Sequence, residues 1–551
     1  MTAETRTRQL ARSTIIVVIA FGAAKLISLA QTFLIANVFG VGAEWAAYVT
    51  ANRIPEIIFT LIAGGALAHA FIPIFSGYLA RNDTDGAWRI ASHVVNTIFC
   101  ATFVVSLIVF LIAPWLVANV VAPGFDEATS QQTVELMRIL LVSTLIFSVS
   151  GIMMGILQSH NHFLSPALAP IMFDVGILAG VIFLMPPFGV RGIALGAVFG
   201  AALHLGIQLP ALFRVRARWT RELGLRDPVL WRVIRLMLPR VAGLGVFSLN
   251  FLIMTNIASR LGTAPVAALD WGWRLMQIPQ TLIGTAIGTV IFPTLAALSE
   301  VGDERGKREA LSGALRVILL TSIPASVGII FVGRPLISLL ERGAFDAAAS
   351  ALVYNALSMF ALGIVVHSAL EVVARGFYAD KDTLTPLWAA LGGAAINFVL
   401  AVVLSGVTRV EANGLFNHFA EQFPGIGVPA DVGNVGGLAL ANSLGVTFEV
   451  LVLLWILRRR WHGADESAIA RTVVRTLAAS LLMALAIVLV NALWTALGLA
   501  GRGLVFTVIQ IGLETGIGLI VFIVAALLLQ IDEIHYVRNR LIRRRPVEGT
   551  A

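Results

Sequence analysis

A single cysteine, Cys100, stands in 551 residues, so no internal disulfide can form. Placed in an apolar run, its thiol reads as a small buried hydrophobe. Charge is scarce too: Lys, Arg, Asp and Glu make up 13% of the chain, where a soluble domain carries about 25%. That scarcity, with 58% hydrophobic residues and a mean hydropathy of +0.89, excludes a soluble globular protein. The chain lacks a G-x-x-x-x-G-K-[ST] loop, an H-E-x-x-H helix and a G-x-S-x-G elbow. Neither ATP use nor hydrolysis is indicated, so no enzyme, cofactor or metal is expected. The net charge of +8 could suggest nucleic acid, but the basic residues lie in short loops between apolar runs. Membrane topology explains them, and no nucleic-acid partner is expected.

What is present is a series of apolar runs. Taking about 20 residues per span, fourteen spans are centred near residues 27, 62, 103, 145, 175, 202, 248, 282, 322, 364, 396, 446, 483 and 518. The first run follows Arg6, Arg8 and Arg12, is too long for a signal-peptide core, and is read as an uncleaved helix. Basic residues cluster in alternate loops: Arg81 and Arg89, Arg214 to Arg226, Arg305 to Arg308, Lys381, Arg458 to Arg460, and the tail Arg538 to Arg545. Arginine and lysine accumulate on the cytoplasmic side. Both termini are therefore expected in the cytoplasm, with the chain in the inner (plasma) membrane. The tail is expected to bind anionic headgroups, at about 1 kcal/mol per basic residue.

The stretch 269–300, LDWGWRLMQIPQTLIGTAIGTVIFPTLAALSE, organises the rest. It carries Arg274 inside an apolar run, with Pro279 and Pro293 flanking a Gly/Thr-rich centre. A guanidinium at mid-membrane costs roughly 2.5 to 3.5 kcal/mol even on a lenient scale, so it is expected to face a wet cavity or a partner. The spacing predicts a bent, cavity-lining helix with a cationic site. A second copy of the pattern lies earlier: Arg53-Ile-Pro55 closing on Pro73. LQSHNHFLSP, ending at Pro166, is likewise echoed by YADKDTLTP, ending at Pro386. These echoes predict two six-helix lobes in parallel repeat plus two additional helices. The expected boundaries are 1–225, 226–462 and 463–535, with the basic tail at 536–551.

FGVGAEWAAYVTANRIPEIIFTLIAGGALAHAFIPIF, RLMQIP…GTVIFPTLAALS, LLERGAFD (339–346) and RGFYADKDTLTP (375–386) together resemble the MurJ/MviN family. These are lipid II flippases of the MOP (multidrug/oligosaccharidyl-lipid/polysaccharide) exporter superfamily. The resemblance implies an all-α polytopic membrane protein of 14 transmembrane helices, two six-helix lobes in a V around a central cavity, and two C-terminal helices forming a groove for the lipid tail. It further implies alternating access that carries an undecaprenyl-linked peptidoglycan precursor to the outer leaflet. Arg274 aligns with the family's cavity arginine of span 8, while Trp273 replaces the usual acidic neighbour. Lys25, Gln31 and Thr32 stand where the family usually carries two arginines and an acid.

A lipid-linked diphosphate needs cations in place of the water it leaves. Arg274, Lys25 and Arg53 are the candidates; Gln31, Glu56, Arg240 and Asn250 are further polar candidates. The alternative for the cations is snorkelling or a local ion pair, and Arg53 with Glu56 has the i,i+3 spacing for one. Asp174, His69, His204, His367, Glu371 and Glu449 are intramembrane ionisable groups, for which pairing outweighs ion coupling. No carboxylate joins Asn250, Asn256, Asn397 and Asn442, so a sodium site is not supported, and a voltage-driven step of about 2.3 kcal/mol per charge per 100 mV stays open. Gly192, Gly196 and Gly200 are read as a helix-packing face. Two other functions fit the weaker cavity charge: a MOP-type transporter of another lipid-linked saccharide or an amphipathic drug, and a non-transporting scaffold that binds cell-wall synthesis proteins.

Overall fold

In lipid no water can satisfy a free backbone amide, so an apolar run of this length must close its hydrogen bonds within itself. The computed structural model describes residues 27–63, 65–160, 162–407, 434–463, 465–531 and 533–534, without side chains at 62–63, 65–70 and 239–240. Every element among them is helical. In chain order they are α1 Ile27–Phe39, α2 Ala43–Ile58, α3 Gly65–Ala80, α4 Thr84–Val121, α5 Glu127–Ser159, α6 Leu164–Phe188, α7 Val190–Arg214, α8 Pro228–Leu261, α9 Thr263–Glu300, α10 Glu304–Ser338, α11 Ala347–Ala379, α12 Leu384–Ser405, α13 Val435–Arg460, α14 Glu466–Ala496 and α15 Leu504–Leu528. Twelve of these, α4 to α15, are long and apolar enough to cross a membrane. Two shorter apolar helices, Ile27–Phe39 and Phe71–Ala80, precede them, so twelve of the fourteen expected spans are matched by helices of crossing length among the described residues. The protein is a multi-pass membrane protein.

Local chemistry sets where the helices begin. Asp83, Asp126, Asp227, Asp303, Asp346 and Asn434 each stand just before a helix and accept a bond from a backbone N–H two or three residues on. Proline sets where they widen. Three π turns start within four residues of one: Phe59–Ala63 after Pro55, Val117–Val121 after Pro114 and Thr281–Thr285 after Pro279. Proline brings no N–H and crowds the carbonyl four residues back, so the ladder re-registers through a wider turn.

The chain forms two compact units, Met1–Ala267 with Gly343–Phe345, and Ala268–Arg342 with Asp346–Ala551. In the first, α3, α4, α5 and the start of α8 bury Phe71, Phe75, Trp88, Ile156 and Val233. The Phe71 and Phe75 rings stack at 5.2 Å between centroids, and Trp88 meets Phe75 edge-on at 5.7 Å. α8 thus packs with the first unit, although the sequence repeat groups it with the second lobe. α6 and α7 meet through glycines from both sides. A Cβ added at Gly176 would lie 2.1 Å from the Gly200 Cα, and one at Gly196 would lie 2.7 Å from the Gly180 Cα. In the second unit, Leu315, Val372, Phe377, Leu453 and Trp461 form the core of α10, α11 and α13. α14 and α15 add a second cluster, packing Met483, Ile487 and Phe522 against Val332 of α10. Cys100 is exposed on α4 rather than buried, because a thiol that is hydrophobic enough for a core is equally at home against lipid tails.

Candidate functional site

Arg274 lies on α9 five residues before Pro279, and the sequence around it fixes how the helix is turned. Trp271 and Met276 are buried, and Trp273 packs edge-on against Phe360 at 5.3 Å and His367 at 5.4 Å, both on α11. With those side chains on the inner face, the Arg274 side chain is 47% exposed. Its Nε donates to Asp270 Oδ2 at 2.6 Å, and that carboxylate is only 5% exposed. The acid that accompanies Arg274 is therefore one helical turn earlier, not at the adjacent position 273. The signal was present in the sequence as an i,i+4 pair, LDWGWR.

The π turn Thr281–Thr285 then carries α9 along α11 at close range. A Cβ at Gly284 would meet the Ser368 Cα at 2.8 Å, and one at Gly288 would fall 1.5 Å from an Arg375 guanidinium nitrogen. Arg375 itself pairs with Glu371 at 3.0 Å, a second i,i+4 pair beside the bent helix that sequence reading left unassigned. His367 shares a hydrogen bond with Asn442 Oδ1 at 3.1 Å, and in the first unit His204 bonds Ser150 at 2.6 Å. The intramembrane groups Glu371, His367 and His204 are thus each engaged locally.

Arg53 shows the first unit's version of the pattern. Its Nε donates to Thr255 Oγ1 at 3.2 Å, its guanidinium lies 5.5 Å from the Phe251 ring centroid, and Glu56 stands at 3.6 Å in the i,i+3 pair. Thr255 and Phe251 both lie on α8. α2 passes into the Phe59–Ala63 π turn after Pro55, and Thr144 of α5 donates to the Pro55 carbonyl at 3.4 Å. Asn250, on the same helix as Thr255, is buried. Gln31 is buried and its amide donates to the Asp174 carbonyl oxygen, joining α1 to α6. Lys25 and the Arg240 side chain lie outside the described residues. Among the described residues no three His, Cys, Asp or Glu side chains gather as metal ligands.

The family model for the lipid II flippase MurJ matches residues 35–508. The chain belongs to the MurJ family. Among its relatives, a probable lipid II flippase MurJ of Rhizobium tropici is 28% identical over 535 residues, 96% of this chain and 95% of that one. The lipid II flippase MurJ of Burkholderia cenocepacia is 29% identical over 84% of this chain and 86% of its own length. Among solved structures, a lipid II flippase MurJ in an inward closed conformation is similar with a TM-score of 0.75 at 21% identity, covering 94% of this chain and all of that one. An inward-facing MATE-family multidrug transporter of the MOP superfamily follows at a TM-score of 0.67 and 16% identity, covering 81% and 96%. The fold is thus that of the family and of its superfamily neighbours.

Proposed function

We propose that this chain is a lipid II flippase, moving the undecaprenyl-linked precursor from the inner to the outer leaflet by alternating access. The observation that supports this reading is Arg274: a permanent cation on a proline-bent helix, anchored by a buried acid and still half exposed. Such an arginine is held in one place, and its planar guanidinium matches the two oxygens of a phosphate. Arg53 and Lys25 are the further cations assigned to the diphosphate, and Gln31, Glu56, Arg240 and Asn250 the polar groups around it. Thr255, Phe251 and Glu56 engage Arg53. Both termini are assigned to the cytoplasm of a plasma-membrane protein, with the basic tail on anionic lipid. Transport by this route needs no bond making or breaking by the protein, so no enzymatic activity is assigned.

The test is complementation of a strain depleted of its own lipid II flippase, comparing the wild-type chain with Arg274→Ala at equal membrane abundance. Rescue by the first and loss with the second is the expected outcome. Rescue by both removes Arg274 from the mechanism, and failure of a well-inserted wild-type chain in several hosts removes lipid II as the cargo.

A further inference from the structure

A cavity of about 1010 Å³ opens in the second unit where four helix ends meet: the last two turns of α10, the early turns of α11, the last turns of α14 and the start of α15. Helix ends and the loops that join them lie at the depth of the headgroup layer. Two arginines, Arg334 and Arg342, line it. Both are exposed and neither has an ion-pair partner among the described residues. α15 opens into the cavity at Gly503, which offers no capping side chain, so the first N–H groups of a 25-residue helix add their partial positive charge. Glu341 is the one acid in the lining, so two guanidinium charges less one carboxylate leave a single net positive charge. With the Glu514 carboxylate beneath the lining the site balances to neutral, which suits a phosphodiester that brings its own donor better than a diphosphate.

The floor is polar and under-satisfied. Asn491 and Gln510, both in the lining, donate to Glu514 Oε1 at 3.0 and 2.8 Å. Glu514 is fully buried, and its Oε2 has no hydrogen-bond partner. A buried carboxylate oxygen without a donor is costly, and a hydroxyl or ammonium reaching past Asn491 and Gln510 would supply the donor. The rim is apolar instead: Phe331, Val488 and Leu504 are all exposed, and the outer faces of α14 and α15 continue with Leu481, Leu485 and Ile509. A free anion would use the arginines and leave both the rim and the floor unused.

We propose that this cavity holds the phosphate headgroup of a membrane phospholipid, with acyl chains along α14 and α15 and a headgroup hydroxyl or ammonium directed to Glu514. The site shares α14 and α15 with the tail groove that the family resemblance implies, and it uses none of Arg274, Arg53 and Lys25. Native mass spectrometry of the detergent-purified full chain tests it, using phosphatidylglycerol, a polyprenyl diphosphate and inorganic phosphate as separate probes. One phosphatidylglycerol per chain is expected to survive gentle activation. The double variant Arg334→Gln/Arg342→Gln is expected to lose it by about tenfold, the effect of removing guanidinium–phosphate pairs. Arg502→Gln, which changes an arginine of the α14–α15 loop outside the lining, is expected to keep it. Unchanged unfolding temperature in the double variant, or retained lipid in Arg334→Lys/Arg342→Lys, separates lost binding from lost fold. Equal retention in all variants overturns the site. Preferential retention of the polyprenyl diphosphate, or displacement of the lipid by inorganic phosphate at equal concentration, overturns the phospholipid assignment.

Discussion

A guanidinium cannot shed its charge, so at Arg274 the structural and the transport roles hang on the same side chain and can be separated only through its partner. Asp270 is nearly buried and receives the Arg274 Nε at 2.6 Å. Removing the arginine leaves that carboxylate without its charged donor, which costs about 1 to 3 kcal/mol. Arg274→Ala is therefore expected to lower the unfolding temperature in detergent, and Asp270→Ala/Arg274→Ala to recover most of the loss, because the orphaned charge is gone too. The double variant is nevertheless expected to fail in the flippase-depleted strain, since the phosphate-binding group is still missing. Recovery of growth along with stability would mean that Arg274 serves the fold alone. Arg274 and its proline were legible in the sequence because intramembrane charge is rare. Asp270 was legible in principle but sits four residues away from the arginine, where only a helical reading brings them together.

Elements are tied to one another at their ends by contacts that no local pattern announces. After α11, Asp380 receives Lys307 Nζ at 2.8 Å, Ser299 Oγ at 2.6 Å and Trp461 Nε1 at 3.3 Å, so one carboxylate joins the ends of α9, α10, α11 and α13. Lys307 itself is 6% exposed. Burial pushes the Asp380 carboxyl up, but the bonds from Lys307 and Ser299 and the Lys307 charge outweigh it and hold it below its ordinary 3.8. A depressed carboxyl contributes its full stability above the ordinary value and loses it as pH falls through the lower, folded one. Asp380→Asn is thus expected to unfold at a lower temperature at neutral pH and to show a shallower further drop in acid than the wild type. Parallel curves for the two proteins would discount the pair. Breaking the buried pair with Asp380→Ala should cost about 3 kcal/mol. The motif YADKDTLTP was visible as a repeat, but its partner Lys307 lies 73 residues away. The glycine face was readable by contrast: Gly192, Gly196 and Gly200 stood at a regular spacing, and only the opposing Gly176 and Gly180 needed the structure. Gly200→Val is expected to force α6 and α7 apart and to destabilise the protein by about 1 to 3 kcal/mol, read as a lower unfolding temperature.

At the scale of the molecule, hydropathy carried most of the information, because the bilayer imposes one length on every span. What hydropathy does not carry is which helices pack together: α8 follows the first unit through Thr255, Phe251 and the cluster around Val233, and side-chain geometry of that kind has no sequence period. Sidedness is the remaining global property, and it rests on loop charge. The loop after α7 is pinned to α4, with Trp219 donating to Asn96 Oδ1 at 2.8 Å and Arg218 bonding Asp85 at 2.7 Å, while Arg221 of the same loop stays exposed. Arg502, in the loop between α14 and α15, is also exposed. Seven helices long and apolar enough to cross a membrane, α8 to α14, separate the two loops, an odd number, so the loops are expected to open on opposite sides of the membrane. Cys100 is the one native cysteine, so Cys100→Ser gives a background in which Arg221→Cys and Arg502→Cys can each be labelled alone. An impermeant maleimide added to intact cells is expected to modify the Arg502→Cys protein at once and the Arg221→Cys protein only after the membrane is opened. Labelling of both from outside would mean that one of the seven helices does not cross, and the reverse pattern would place the arginine-rich loops outside, against the charge rule on which the orientation depends.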